Sequence, residues 1–271
     1  MTKKYEFTGK TITHYDHTLH RIRALRDIPR LGVNAGDIGG WVEDHKNLSH
    51  DGDCWVYGEA KVYSKAEVSG NAEVYGEAKV CGNAEVYGEA EVFCEAIVCG
   101  NAAVYGEAKV FGDAKVSGNA EVYGKAEVSG NADIYGNAMV YGKAYIYEDV
   151  VVCGEAIVCD NADIYGDATI YGNAVASRKA SIYGEAKVCG HAQVYDKTSI
   201  TPINIIGLRW PITITDNKMS IGCETHSHAM WEISSDREIA EMSGRDALRF
   251  WHEHKDMLLA LCERHAAKAN K

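Results

Sequence analysis

A strict six-residue period runs through the middle of the chain and limits what it can fold into. Every sixth residue from Val56 to Ile200 is Val or Ile, with Ala176 as the exception. From Ala60 to Ala192, alanine follows each aliphatic position after four residues, except at Val150, and glycine usually follows after two, so the unit reads Val-Tyr-Gly-Glu-Ala-Lys. An amphipathic helix would repeat its apolar positions at intervals of three and four, and a two-layer sheet would not keep the alanine. The period therefore predicts a solenoid of short strands joined by tight turns.

The period also predicts how the chain is divided. Three hexads close one triangular coil of eighteen residues, in which Val or Ile points inward, alanine fills a corner and glycine adopts the turn. We therefore expect an all-β solenoid, a triangular parallel β-helix of about eight coils, over residues 56–201. Residues 1–55 are predicted to form an N-terminal cap, because an open end would expose unpaired backbone groups. Residues 202–271 are predicted to form a small α+β cap, with capping boxes at Ser235 with Glu238 and at Ser243 with Asp246.

Outward residues that lie eighteen apart form columns along the predicted solenoid. The most apolar face carries an unbroken tyrosine ladder flanked by small and apolar side chains. Its residues are Tyr87, Ala103, Tyr105, Tyr123, Met139, Tyr141, Ile157 and Val175. Because a contiguous apolar patch usually marks a contact, we expect this face to join copies of the chain into a dimer or trimer, or to bind a protein partner.

One corner of the predicted solenoid is almost wholly acidic. Its acidic residues are Glu59, Glu77, Glu95, Asp113, Asp149, Asp167 and Glu185. Stacked like charges repel, and a lysine two residues after several of them, as in Glu77 and Lys79, predicts local ion pairs. The alternative is a rod of carboxylates that imitates a phosphate backbone and occupies the nucleic-acid site of another protein.

Charge and cysteine usage narrow the class of protein. A formal net charge of −11 argues against direct nucleic-acid binding through broad phosphate neutralisation. The sequence has no run of 18 apolar residues and no signal-peptide core at its start, so no membrane span is expected. Nine cysteines form an odd count, and five of them share one repeat position, which is typical of a reducing compartment. The chain is therefore predicted to be cytoplasmic.

Candidate catalytic and metal-binding residues are few. Cys223, His226 and His228 are weak candidates for a zinc site, but a fourth ligand is missing, so no metal or other cofactor is expected. Hexapeptide acyltransferases use a histidine base and a loop thrown out from the coils. Here the coils have no insertion, and His191 is their only histidine. We therefore expect a protein that is not an enzyme, with an acyltransferase-like activity as an alternative.

Two segments resemble known proteins. The run from Ala24 to Val62, ALRDIPRLGVNAGDIGGWVEDHKNLSHDGDCWVYGEAKV, resembles the start of the YdcK-like hexapeptide-repeat β-helix family. That resemblance implies a left-handed coil. Members are often named as transferases by analogy of fold, which says little about chemistry. The stretch from Gly207 to Trp251 resembles a C-terminal segment of phage and prophage proteins.

Together these features predict a non-catalytic binding protein of phage origin. It would engage a host macromolecule, such as a defence component, through a β-helix face and the C-terminal cap. Three alternatives stay open at this point: an acidic DNA-mimic inhibitor, a small-ligand-binding oligomer and an acyltransferase-like enzyme.

Overall fold

The computed structural model describes residues 3–269, which form a parallel β-solenoid of about nine turns followed by a small sheet and two helices. Each turn of the solenoid contributes one short strand to each of three sheets, here called faces A, B and C in the order in which the chain visits them. Over residues 55–194, parallel pairing joins strands that lie eighteen residues apart, as between Val104 and Val122. The predicted solenoid is thus confirmed.

Face A continues the N-terminal sheet, which consists of β1 (Tyr5–His14), β2 (His17–Ala24) and β3 (Ile38–Val42). Its solenoid strands are β5 (Lys61–Val62), β8 (Lys79–Val80), β11 (Ile97–Val98), β14 (Lys115–Val116), β17 (Asp133–Ile134), β20 (Val151–Val152), β23 (Thr169–Ile170) and β26 (Lys187–Val188). Two 3-10 turns, Pro29–Leu31 and His45–Asn47, lie on either side of β3.

Faces B and C consist of two-residue strands alone. Face B contains β6 (Glu67–Val68), β9 (Glu85–Val86), β12 (Ala103–Val104), β15 (Glu121–Val122), β18 (Met139–Val140), β21 (Ile157–Val158), β24 (Val175–Ala176) and β27 (Gln193–Val194). Face C contains β4 (Trp55–Val56), β7 (Glu73–Val74), β10 (Glu91–Val92), β13 (Lys109–Val110), β16 (Glu127–Val128), β19 (Tyr145–Ile146), β22 (Asp163–Ile164), β25 (Ser181–Ile182) and β28 (Lys197–Thr198).

The solenoid starts earlier than its repeat. Val42 pairs in parallel with Val62, and Leu48 forms a parallel bridge with Val68. Residues 38–56 therefore already form a turn, which raises the number of turns from the expected eight to about nine.

The end of the repeat differs from the expected register. Thr198 pairs with Ile182 and occupies the buried inward position that the period assigned to Ile200. The hydroxyl of Thr198 donates to the carbonyl oxygen of Ile200 and lies 3.3 Å from Asp216 Oδ1. Contacts with the C-terminal unit thus shorten the last hexad by two residues.

The core is a stack of aliphatic columns closed by alanine corners. Val86, Val104 and Val122 stack in one column and are fully buried. The turns between strands need glycine where coils approach closely. Gly124 has φ +73°, and a Cβ added there would lie 3.1 Å from the backbone nitrogen of Gly142 in the next coil.

The C-terminal unit consists of a four-stranded antiparallel sheet and two helices, α1 (His228–Ile233) and α2 (Asp236–Ala269). The strands are β29 (Ile203–Ile205), β30 (Ile212–Ile214), β31 (Lys218–Ile221) and β32 (Glu224–Ser227). Among the described residues, neither helix has an apolar stretch long enough to cross a bilayer.

Local signals set the start and the break of α2. The predicted capping box is present, since Ser235 N donates to Glu238 Oε2 at 2.8 Å. The second expected box falls on a break in the helix, where Gly244 has φ +66°. The carboxylate of Asp246 instead accepts a hydrogen bond from Arg209.

Candidate functional site

The tyrosine ladder of face B is a regular stack of four parallel rings. Neighbouring ring centroids from Tyr87 through Tyr105 and Tyr123 to Tyr141 lie 4.8 to 4.9 Å apart, and their planes differ by 8° or less. The coil rise sets this spacing, which falls within the range for favourable offset stacking. Tyr105 Oη also donates to Glu121 Oε2 at 2.9 Å. Burial and this hydrogen bond together raise the pKa of Tyr105 above its ordinary value.

An apolar strip begins beside Tyr141, the last tyrosine of this ladder, and continues along the next two coils. Met139, Ile157 and Val175 are register neighbours on three successive strands, and each side chain is partly exposed. Ala103 belongs to the same column, but Glu121 separates it from Met139. The predicted surface therefore has a contiguous apolar strip of three residues, and Ala103 lies apart from it.

Face C carries a second aromatic ladder, which was not among the features predicted from the sequence. Its members are Tyr57, Tyr75, Phe93, Phe111, Tyr147, Tyr165 and Tyr183. Phe93 and Phe111 stack at 4.8 Å, and Tyr147 and Tyr165 at 5.2 Å. The eighteen-residue spacing that reveals the first ladder also reveals this one, so the signal was present in the sequence.

The second ladder changes the interpretation of the surface. Aromatic stacking is a general device by which successive coils stabilise each other, because it recurs on two faces. A tyrosine ladder alone therefore does not mark a contact. The apolar strip of Met139, Ile157 and Val175 is the feature that distinguishes face B.

The acidic corner is exposed, and the predicted local ion pairs are wrong. Glu59 accepts hydrogen bonds from Arg21 and from the Trp41 indole, while Lys61 donates to the main-chain oxygen of Glu59. Within residues 3–269, none of the other six acidic residues of this corner lies within 4.0 Å of a cationic group. The chain bends between two faces at this corner, so the carboxylate and the lysine two residues later diverge.

The weak metal candidates do not converge. Cys223 is exposed, and His226 Nε2 lies 3.5 Å from Glu224 Oε2. His228 Nε2 lies 3.1 Å from the carbonyl oxygen of Lys218, to which it donates in the matching tautomer. Over residues 3–269 no group of three His, Cys, Asp or Glu side chains is placed to hold a metal ion.

The C-terminal unit contains an aromatic pocket that was not predicted from the sequence. The pocket opens beside the break in α2, and its lining is mainly apolar. It is lined by Trp210, Ile221, Cys223, Glu224, Trp231, Ile239, Met242, Ser243, Ala247, Phe250 and Trp251. Trp210 meets Phe250 edge to face at 5.1 Å, and Trp231 lies 5.2 Å from Trp251. The three tryptophans within residues 210–251 were the only sequence feature that could have indicated this pocket. They follow no repeat, so the sequence does not show that they lie close together.

These features define a parallel β-solenoid protein with a small C-terminal α+β unit. The family model for the YdcK Beta solenoid repeat matches residues 134–148 and 162–178. The repeat of this chain is thus similar to the YdcK solenoid repeat, and the match lies outside the Ala24–Val62 run on which the sequence resemblance rests. A search of curated protein sequences finds no significant match to the chain.

Proposed function

We propose that this chain is a non-catalytic interaction protein that associates with other copies of itself through face B, as a dimer or trimer. The observation that carries the proposal is the strip of Met139, Ile157 and Val175, three apolar side chains on adjacent strands that are partly open to solvent. The outward columns of the other two faces have no such run. On face A, for example, Lys79 and Lys115 flank Ile97.

The shape of face B supports self-association. It is a flat parallel sheet about 34 Å long, from seven coil spacings of about 4.8 Å. A stable interface removes about 800 Å² of surface from water on each partner, so the contact would have to extend along the face beyond the three apolar side chains. Outward positions tolerate charge, as Glu85 and Glu121 show on the same column. An apolar strip at these positions is therefore most stable when another apolar surface covers it.

Sedimentation velocity tests the proposal. The wild-type protein should sediment as a dimer or trimer, and the double variant Met139→Lys with Ile157→Lys should sediment as a folded monomer, because burying two lysines without partners is strongly unfavourable. The matched control is Ile97→Lys with Val151→Lys, which places the same charges at partly exposed positions on face A. A monomeric wild type, or a face B variant that stays assembled, would rule out this surface as the contact.

The aromatic pocket favours a second candidate function, the binding of a small apolar group. Ligand sites are concave, mostly apolar and lined by aromatic side chains with a few polar groups at the edge, and this pocket has Cys223 and Glu224 among its lining residues. Toluene is a suitable probe, followed by shifts of the tryptophan indole N–H signals in NMR spectra.

A filling variant tests this second function. Ala247→Phe should occupy the pocket and abolish the shifts, whereas Ala267→Phe, on the exposed surface of the same helix, should leave them unchanged. Equal shifts in both variants would place the toluene site elsewhere and contradict this function.

A further inference from the structure

The aromatic ladder of face C is interrupted at one coil. Val110, Val128 and Ile146 are register neighbours, so Ser129 occupies the ladder position between Phe111 and Tyr147. Aromatic stacking continues on both sides of the interruption, with Phe93 on Phe111 and Tyr165 on Tyr147. Ser129 is 8% exposed, although it has only a hydroxymethyl group where its ladder neighbours have a ring. The interruption leaves a slot on the surface, lined by Phe111, Ser129, Tyr145, Tyr147 and Asp163.

The slot has the width of one aromatic ring. The rings of Phe111 and Tyr147 lie two coils apart, which at about 4.8 Å per coil is roughly 10 Å. A ring placed midway would stack on both at about 4.8 Å, within the usual range for aromatic pairs. Intact parts of the same ladder use this spacing, as between Phe93 and Phe111 at 4.8 Å.

The outer wall of the slot is acidic. Glu127, Tyr145 and Asp163 are successive residues of the outward column on face C, so a carboxylate stands on each side of Tyr145. The side-chain carboxylate of Asp163 has no hydrogen-bond or ion-pair partner among residues 3–269, and burial raises the pKa of this carboxyl group. Lys109 is the cation next to Glu127 in the same outward column, one coil earlier. Its Nζ atom forms an ion pair with Glu91 Oε1 at 2.9 Å.

We propose that this slot binds one planar aromatic ring that carries a positive charge. The ring would complete the ladder between Phe111 and Tyr147, with its cationic group directed at the carboxylates of the outward column, Glu127 in the same coil as Ser129 and Asp163 two coils further on. Stacking on two ring faces favours an aromatic ligand, and a charge-assisted contact with the carboxylates of the outward column favours a cationic ring over a neutral or anionic one. The slot lies on face C, so its occupation is independent of association through face B.

Calorimetric titration with two matched probes tests the proposal. Tryptamine carries an indole ring and an ammonium group, and indoleacetate carries the same ring with a carboxylate. The wild-type protein should bind tryptamine at least about tenfold more tightly than indoleacetate, because the acidic wall attracts one charge and repels the other. Absence of tryptamine binding, or equal affinity for the two probes, would overturn the proposal.

Variants locate the binding within the slot. Ser129→Tyr restores a ladder residue that other coils already accommodate, so the variant should fold, and it should weaken tryptamine binding by at least about tenfold because the slot is filled. Ser129→Ala keeps the slot open and should retain the wild-type affinity. Glu127→Gln combined with Asp163→Asn should bring the affinities for tryptamine and indoleacetate close together. Circular dichroism confirms folding, and a folded Ser129→Tyr variant that binds tryptamine as the wild type does would place the ligand elsewhere.

Discussion

The Nε2 atom of His265, near the end of α2, lies 3.7 Å from Oδ1 of Asp216, and the two side chains are only 3% and 10% exposed. The same carboxylate accepts hydrogen bonds from the backbone nitrogen of Ser199 at 2.8 Å and from its hydroxyl at 2.7 Å. Ser199 directly follows the last solenoid strand, and Asp216 lies in the turn between β30 and β31. One buried carboxylate therefore connects the solenoid, the C-terminal sheet and α2.

This arrangement predicts acid sensitivity of the C-terminal unit. Burial lowers the pKa of His265, and burial also lowers that of the neighbouring His228. The pKa values of both histidines in the folded protein lie below the unfolded value of about 6.5, so the folded state favours neutral histidine. The stability that comes from keeping these histidines neutral is fully present above pH 6.5 and is lost as the pH falls through the folded pKa values. Urea unfolding followed by tryptophan fluorescence should show a lower midpoint at about pH 5.5 than at pH 7.5. In the variant His265→Gln the difference between the urea midpoints at the two pH values should be smaller. A wild-type midpoint that is the same at both pH values would contradict the prediction.

The Asp216 carboxylate itself should be important for stability. Asp216→Asn removes a charged acceptor from two hydrogen bonds at a largely buried position, so the free energy of unfolding should fall by about 2 kcal/mol. Asp246→Asn is the matched control, because its ion pair with Arg209 is exposed and should contribute at most about 1 kcal/mol. If the two variants lowered the free energy of unfolding equally, Asp216 would not have the predicted stabilising role between the solenoid and the C-terminal unit.

The aliphatic columns should dominate the stability of the solenoid. Ile146 is fully buried, and Ile146→Ala should lower the free energy of unfolding by about 2 to 5 kcal/mol because it leaves a cavity. Ile157→Ala changes an outward residue and should have a clearly smaller effect, as measured under conditions where the wild type is monomeric. A similar loss of unfolding free energy in both variants would contradict the assignment of Ile146 to the core and of Ile157 to the outer surface.

The tyrosine ladder of face B should resist ionisation. A hydrogen bond with Cys159, together with burial, raises the pKa of Tyr141 to about 12. Its folded pKa exceeds the unfolded value of about 10, so the corresponding stability is present below pH 10 and is lost as the pH rises toward 12. Tyr141→Phe should therefore lose less stability between pH 10 and 11.5 than the wild type, as measured by urea unfolding. Tyr15→Phe, at a side chain that is 77% exposed, serves as the control for removing a tyrosine hydroxyl outside the ladder.

The repeat allowed much of this structure to be predicted. Within residues 56–194 a residue's neighbours are the residues eighteen positions before and after it, so the period fixes the register, the buried columns such as Val86, Val104 and Val122, and both aromatic ladders. The interruption at Ser129 was visible in the same columns. The left-handed coil and the phage-type C-terminal segment stay predictions.

Features outside the six-residue repeat were decided by the tertiary structure alone. The aromatic pocket unites Trp210, Trp231 and Trp251, and the buried contact joins Asp216 with His265 across 49 positions of the sequence. The direction of side chains at a corner, which leaves Glu77 apart from Lys79, also depends on how the chain bends there. Sequence alone determined the solenoid because every coil repeats one set of local contacts. The ends were decided by tertiary structure because their contacts join residues that are distant along the chain and carry no repeated pattern.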